Sequence, residues 1–141
     1  MGSTSVLKEA ARIHSRVRRQ HQSEIAQDYV EAIYRLKSEG KSTRVTDIQD
    51  VFGVSHVTVI RTLARLEDAK LLVKEQGSVT LTEEGQMIAV KAFRRHNLVL
   101  RFLRTLGVSE ETASADTEGI EHHLSSETIE AIERYMDKQD D

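Results

Sequence analysis

The 141-residue chain contains no cysteine, no proline and no tryptophan. Without a thiol it can form no disulfide, no cysteine-ligated zinc finger, no iron–sulfur site and no thiol nucleophile. Any metal must be held by oxygen and imidazole nitrogen, with the sulfur of three methionines as the only soft donor. With no proline and only seven glycines, no flexible linker announces itself. No apolar run approaches the roughly 20 residues that span a bilayer, so no membrane partner is expected. The opening stretch MGSTSVLKEAARIHSRVRR lacks the apolar core of a secretory signal, and a cytoplasmic location is expected from it.

What the chain does have is charge. Charged residues make up 30% and hydrophobic residues 38%, the balance of a globular protein with one domain or two small ones. The net charge of -3 hides an asymmetry. Residues 1–80 carry 13 Lys and Arg against 10 Asp and Glu, whereas residues 81–141 carry 7 against 13. The first part can meet a polyanion; the second is poorly suited to one.

The segment from about Val6 to Lys37 reads as helical, with Ile25, Tyr29, Ile33 and Leu36 as its apolar stripe and Glu39-Gly40-Lys41 as its stop. Its first 22 residues form a basic extension bearing Lys8, Arg12, Arg16, Arg18 and Arg19, which could be an arm or a frayed end. Thr46-Asp-Ile-Gln49 has the spacing of a capping box and opens a short helix that stops at Gly53. Ser55 can cap the next helix, His56 to about Ala69, whose inner face carries Ile60, Leu63 and Leu66. Two short helices joined by Phe52-Gly53-Val54-Ser55 match a helix-turn-helix. Residues 72–81 alternate around Gln76-Gly77, as a β-hairpin does.

The expected architecture is mainly α. A winged helix-turn-helix with a small β-hairpin wing occupies residues 23–82, after the extension of residues 1–22. An all-helical dimerisation domain follows over residues 83–141. In it, Thr82 caps a long helix to about Leu106 with Met87, Ile88, Phe93, Phe102 and Leu103 as core candidates. Ser109 caps a helix reaching about Leu124, and Ser125 or Ser126 caps the last. Such a small helical half buries its apolar faces best against a second copy, so a homodimer is expected.

The second helix of the motif presents Ser55, His56, Thr58, Arg61, Thr62 and Arg65 away from its apolar stripe, and the wing tip adds Gln76 and Ser78. Early residues of such a helix reach base edges, while flanking hydroxyls and arginines grip phosphate. Arg61 is the candidate for guanine, whose O6 and N7 its fork can bond together. A double-stranded DNA operator is the expected partner. The competing reading is a winged helix used for protein contacts, against which the polar, basic face argues.

Glu118-Gly-Ile-Glu121-His122-His123 packs two carboxylates and two imidazoles into six residues. On a helix, Glu118, Glu121 and His122 share one face, which suits a cation or, in the plainer reading, solvent. Asp28 and Glu31, at i and i+3 on the first helix, and His96 on the long helix are further candidates. Together they supply four carboxylates and two imidazoles, enough for two divalent ions. Hard oxygens with some imidazole and no thiolate fit Mn2+ and tolerate Fe2+.

Four motifs now stand together: Gln27-Asp-Tyr-Val-Glu31-Ala-Ile-Tyr34, the helix-turn-helix with Val57-Thr-Val-Ile-Arg-Thr-Leu-Ala-Arg-Leu66, His96, and Glu118-Gly-Ile-Glu-His-His-Leu-Ser125. Over roughly residues 23–138 they resemble the diphtheria toxin repressor family, in its manganese transport regulator (MntR) branch. The resemblance implies a homodimeric, metal-activated repressor of metal-uptake genes that binds a palindromic operator. It places the manganese ligands on Asp28, Glu31, His96, Glu118, Glu121 and His122, with two Mn2+ per subunit. Iron-responsive relatives have Met in place of Asp28 and Cys in place of Glu118, and their ancillary site is not reproduced at Leu100 and Ser114. His123 is not carried as a ligand and suits a hydrogen-bonding role behind the site. The alternatives are an iron-responsive regulator of the same family and a di-metal carboxylate enzyme with a small-molecule substrate; neither a substrate nor catalysis is expected.

Overall fold

A computed structural model describes residues 2–140, as six α-helices, one 3-10 turn and a two-stranded antiparallel sheet. The order is α1 (Gly2–Ser38), α2 (Val45–Phe52), α3 (His56–Asp68), β1 (Leu72–Glu75), β2 (Ser78–Leu81), α4 (Glu83–Thr105), α5 (Glu110–Ile120), the 3-10 turn Glu121–His123, and α6 (Ser126–Asp140). The chain divides into two compact units between Gln86 and Met87, inside α4. Among the described residues no helix is long and apolar enough to cross a membrane.

The basic extension is helical: α1 runs unbroken from Gly2, because residues 3–38 contain no glycine or proline and are rich in Ala, Arg, Glu and Gln. Its buried face is confined to the C-terminal third: Tyr29, Val30, Glu31 and Ile33. Ile25 and Leu36 of the expected stripe are only half-buried.

α2 begins two residues earlier than the Thr46 capping box implies. Arg44 is its N-cap, and the Asp47 carboxylate reaches back to accept the Arg44 N–H at 2.9 Å. Gly53 ends α2 at φ 63°, a left-handed turn that glycine adopts without steric cost. Ser55 caps α3 by accepting the Thr58 N–H at 3.2 Å, as its position predicts. Val59, Leu63 and Leu66 of α3 pack in the core with Ile48 of α2. Tyr29 and Phe52 stack with ring centroids 4.2 Å apart, joining α1 to the end of α2.

β1 and β2 pair from Leu72 opposite Leu81 to Glu75 opposite Ser78. The turn takes positive φ at both Gln76 (53°) and Gly77 (81°), which matches the right-handed twist of a tight hairpin. A single bridge from Arg44 to Ser78 adds a third edge, fixed by Thr43 Oγ1 donating to the Val79 carbonyl at 2.8 Å. Three helices and this hairpin form the winged helix. Thr82 then caps α4 through the Gly85 N–H, and its own hydroxyl donates to the Lys70 carbonyl at 2.7 Å.

In the second unit the buried positions of α4 are Ala89, Ala92, His96 and Val99, spaced by three, four and three. Met87, expected in the core, is 69% exposed. Ala113 and Thr117 of α5 and Ile132 and Met136 of α6 complete the interior, and Phe102 meets Tyr135 edge-on at 5.9 Å. The caps fall at Ser109 and Ser125, each accepting an N–H from three residues on.

Candidate metal centre and nucleic-acid face

The second unit encloses a carboxylate between two imidazoles. Glu121 is 2% exposed; its Oε2 lies 2.9 Å from His96 Nδ1, and its Oε1 lies 3.4 Å from His122 Nε2. α5 does not continue to Leu124 as the sequence suggests. It ends at Ile120, and the chain tightens into the 3-10 turn that swings Glu121 inward. Glu118 is exposed on α5, while the Glu121 and His122 side chains are buried.

An ionised carboxylate only accepts hydrogen bonds, and with Glu121 in that form the proton of the short contact sits on His96 Nδ1. In the neutral imidazole this leaves the Nε2 lone pair as a donor to a cation. Carboxylates fix metal-binding histidines in this way, setting the tautomer and raising basicity. Two imidazoles and a carboxylate are a donor set suited to a divalent ion of the manganese or iron type. A buried carboxylate is costly unless paired, and among the described residues this one is paired with His96 and His122, groups that can themselves bind metal.

In the first unit, Asp28 is half-buried and Glu31 is buried on adjoining turns of α1. Arg35 donates to Glu31 Oε1 at 2.7 Å. Sequence reasoning missed this guanidinium, although its i+4 spacing from Glu31 was readable. A cation at Glu31 has to share or displace it.

α3 presents Arg61 and Arg65 to solvent. Ser55 and Thr58 are exposed, but their hydroxyls lie 2.8 Å apart and serve the cap. His56 is exposed and its Nδ1 lies 3.2 Å from Gln49 Oε1, which ties the first residue of α3 to α2. Thr62, expected on the outer face, is buried; its hydroxyl donates to the Thr58 carbonyl at 2.8 Å. Val57, which the apolar-stripe reading passed over, is 57% exposed on the first turn of α3. Gln76 is exposed at the wing tip and Ser78 is half-buried beneath it.

The geometry agrees with what the chain is similar to. Residues 21–78 match the N-terminal DNA-binding domain of iron-dependent repressors, and residues 82–140 match their metal-binding and dimerisation domain. The transcriptional regulator MntR of Escherichia coli O6:H1 (strain CFT073) is 41% identical over 124 residues, which are 86% of this chain and 79% of that protein. The HTH-type transcriptional regulator MntR of Bacillus subtilis (strain 168) is 38% identical over 107 residues, 75% of each chain. Among solved structures, a manganese-dependent transcriptional repressor in complex with manganese superposes with a TM-score of 0.72 at 28% identity, covering 78% of this chain and 51% of that one. The manganese regulator SloR gives 0.71 at 25% identity, covering 79% and 53%. This chain thus spans about half the length of those two solved chains. With both of its parts matched in order, the chain belongs to the iron-dependent repressor family of metal-responsive, DNA-binding transcriptional regulators.

Proposed function

We propose that this protein is a manganese-responsive repressor that binds a palindromic operator as a homodimer, with two Mn2+ per subunit. The observation that carries the reading is the buried Glu121 carboxylate held between His96 and His122, inside the domain whose family binds metal and dimerises. Asp28, Glu31, His96, Glu118, Glu121 and His122 are the proposed ligands. Two of them fall in the DNA-binding domain and four in the other, so ligand occupancy is a means of linking operator affinity to metal supply.

The bound ion supplies positive charge and fixed ligand directions. The chain's own residues do the rest. Glu121 orients His96 by accepting a hydrogen bond from its Nδ1–H, and Arg35 pairs with Glu31 until a cation shares or displaces it. Arg61 and Arg65 face the groove and the phosphates, with Ser55, His56, Thr58, Gln76 and Ser78 around them, and Val57 is placed to meet a thymine methyl group. Thr62 is left to pack α3. A ligand shifts an equilibrium only by its differential affinity, and couplings of this kind are typically about 1–3 kcal/mol, or roughly 5–150-fold.

Manganese is preferred over iron because Asp28 and Glu118 are hard oxygen donors, and because relatives at about 40% identity are named MntR. The relatives are regulators, which answers the di-metal enzyme alternative. The test is fluorescence anisotropy on DNA selected by the Mn2+-loaded protein. Mn2+ is expected to tighten binding at least tenfold relative to excess chelator; equal affinity in the two conditions overturns the reading.

A further inference from the structure

The N-terminal half of α1 is built as a helix-pairing seam. Val6, Ala10, Ile13 and Val17 fall at spacings of four, three and four, the a/d pattern of two heptads. At 100° per residue they lie within a stripe about 60° wide, while Lys8, Arg12 and Arg19 lie on the opposite side. Val6, Ile13 and Val17 are 67%, 52% and 56% exposed and Ala10 is half-buried, so among the described residues the three larger side chains of the stripe are left largely uncovered. The seam ends where Gln20 and Glu24 take the next two positions. Four apolar residues in register are not needed for the winged helix, whose buried face on α1 begins only at Tyr29.

We infer that this stripe pairs antiparallel with the same segment of a second copy of the chain. The layer sizes choose the direction. Antiparallel pairing sets Ala10 against the partner's Ile13 and Val6 against the partner's Val17, small against large and equal against equal. Parallel pairing sets Ala10 against itself and leaves a gap. Charge makes the same choice. Glu9 and Arg16 flank the seam at equivalent g positions, and antiparallel helices bring g beside g. Each Glu9 then meets the partner's Arg16, twice by symmetry, as an isologous contact requires. In the parallel arrangement Arg16 faces the partner's His21 instead. Among the described residues of one chain, Glu9 is engaged by an exposed Arg12 contact at 3.6 Å, which is easily exchanged. Two heptads are too short to associate alone. The family's dimerisation domain over residues 82–140 supplies the association, and the helix pair forms at the raised local concentration that follows.

The chain's lack of cysteine makes the test clean. Differently tagged full-length A10C and I13C chains are co-expressed, purified as mixed assemblies and oxidised, with R12C on the opposite face as control. The mixed A10C and I13C disulfide is expected in several-fold excess over either homodisulfide and over the R12C product. Adding E9R or R16E to both chains lowers its yield several-fold, and adding both together restores it. Predominant homodisulfides overturn the antiparallel pairing. A mixed yield no higher than the R12C control overturns the pairing altogether, as does a yield indifferent to the charge swap.

Discussion

His96 Nδ1 and Glu121 Oε2 lie 2.9 Å apart across 25 residues, with both side chains almost wholly buried. Replacing His96 by leucine leaves the carboxylate short of a donor, at a cost of about 1–3 kcal/mol. Replacing both by leucine removes the polar demand and is expected to be less destabilising than His96→Leu alone. Urea denaturation of the metal-free protein checks the order of the three. For Mn2+, Glu121→Gln is expected to weaken affinity about 10–100-fold, the range seen when a histidine loses its orienting carboxylate, as read by calorimetric titration.

Glu118 is an exposed, hard oxygen donor on α5. Glu118→Cys places a soft thiolate at that position and is expected to move the DNA-binding response from Mn2+ towards Fe2+, Co2+ or Zn2+. Anisotropy titrations metal by metal give the ranking. An unchanged ranking removes Glu118 from the proposed ligand set.

Arg61→Ala is expected to cost about 1–3 kcal/mol of operator binding and to relax preference at one base pair, as loss of a bidentate guanine contact does. If Arg61 instead meets phosphate, the loss is uniform across sequences and the salt slope falls by about 0.9. Competition among single-base operator variants at two salt concentrations separates the outcomes.

A β-carbon on Gly85 would run into the Leu71 carbonyl, where β1 is entered beside the first turn of α4. Helix propensity alone says that Gly85→Ala stabilises by about 1 kcal/mol. The backbone contact reverses the sign, and destabilisation by about 1–3 kcal/mol is expected. Thermal unfolding decides between the two directions.

Hydrogen bonds from Ser42 and then from the Arg44 N–H hold the Asp47 carboxyl below its ordinary value near 3.8. A lowered value in the folded state means a contribution complete above the unfolded value and lost as pH falls through the folded one. Asp47→Asn should therefore flatten the acid limb of stability below about pH 4. Urea midpoints measured from pH 6 to pH 3 test this.

The winged helix was legible because its punctuation is local: Gly53, Ser55, the Gln76-Gly77 turn and Thr82 each act within three residues. The end of α5 was not. No stop residue separates Ile120 from Glu121, and tertiary burial decides where the helix tightens. Nor does composition reveal a buried glutamate, since glutamate is ordinarily a surface residue. Thr62 misled for a related reason. It lies in the i, i+3, i+4, i+7 seam of Val59, Thr62, Leu63 and Leu66, and bonding its hydroxyl to the Thr58 carbonyl removes the cost of placing it there. Periodicity outranked polarity at that position. The family motifs made Asp28, Glu31, His96, Glu118, Glu121 and His122 readable as a set, but not the Arg35 that already occupies one of them.

α1 is also a lever. Its core-bound end is fixed by Tyr29, Val30 and Ile33 with half-buried residues 24–28 before them, while residues 2–23 project further, roughly 33 Å at the rise of an α-helix. A rotation of the DNA-binding core by only about 10° would sweep the tip by about 6 Å. The same leverage works in reverse: a tip that is held restrains the angle at which the recognition helix α3 is offered. A fluorophore pair on the tips would magnify reorientation too small to see at the groove itself.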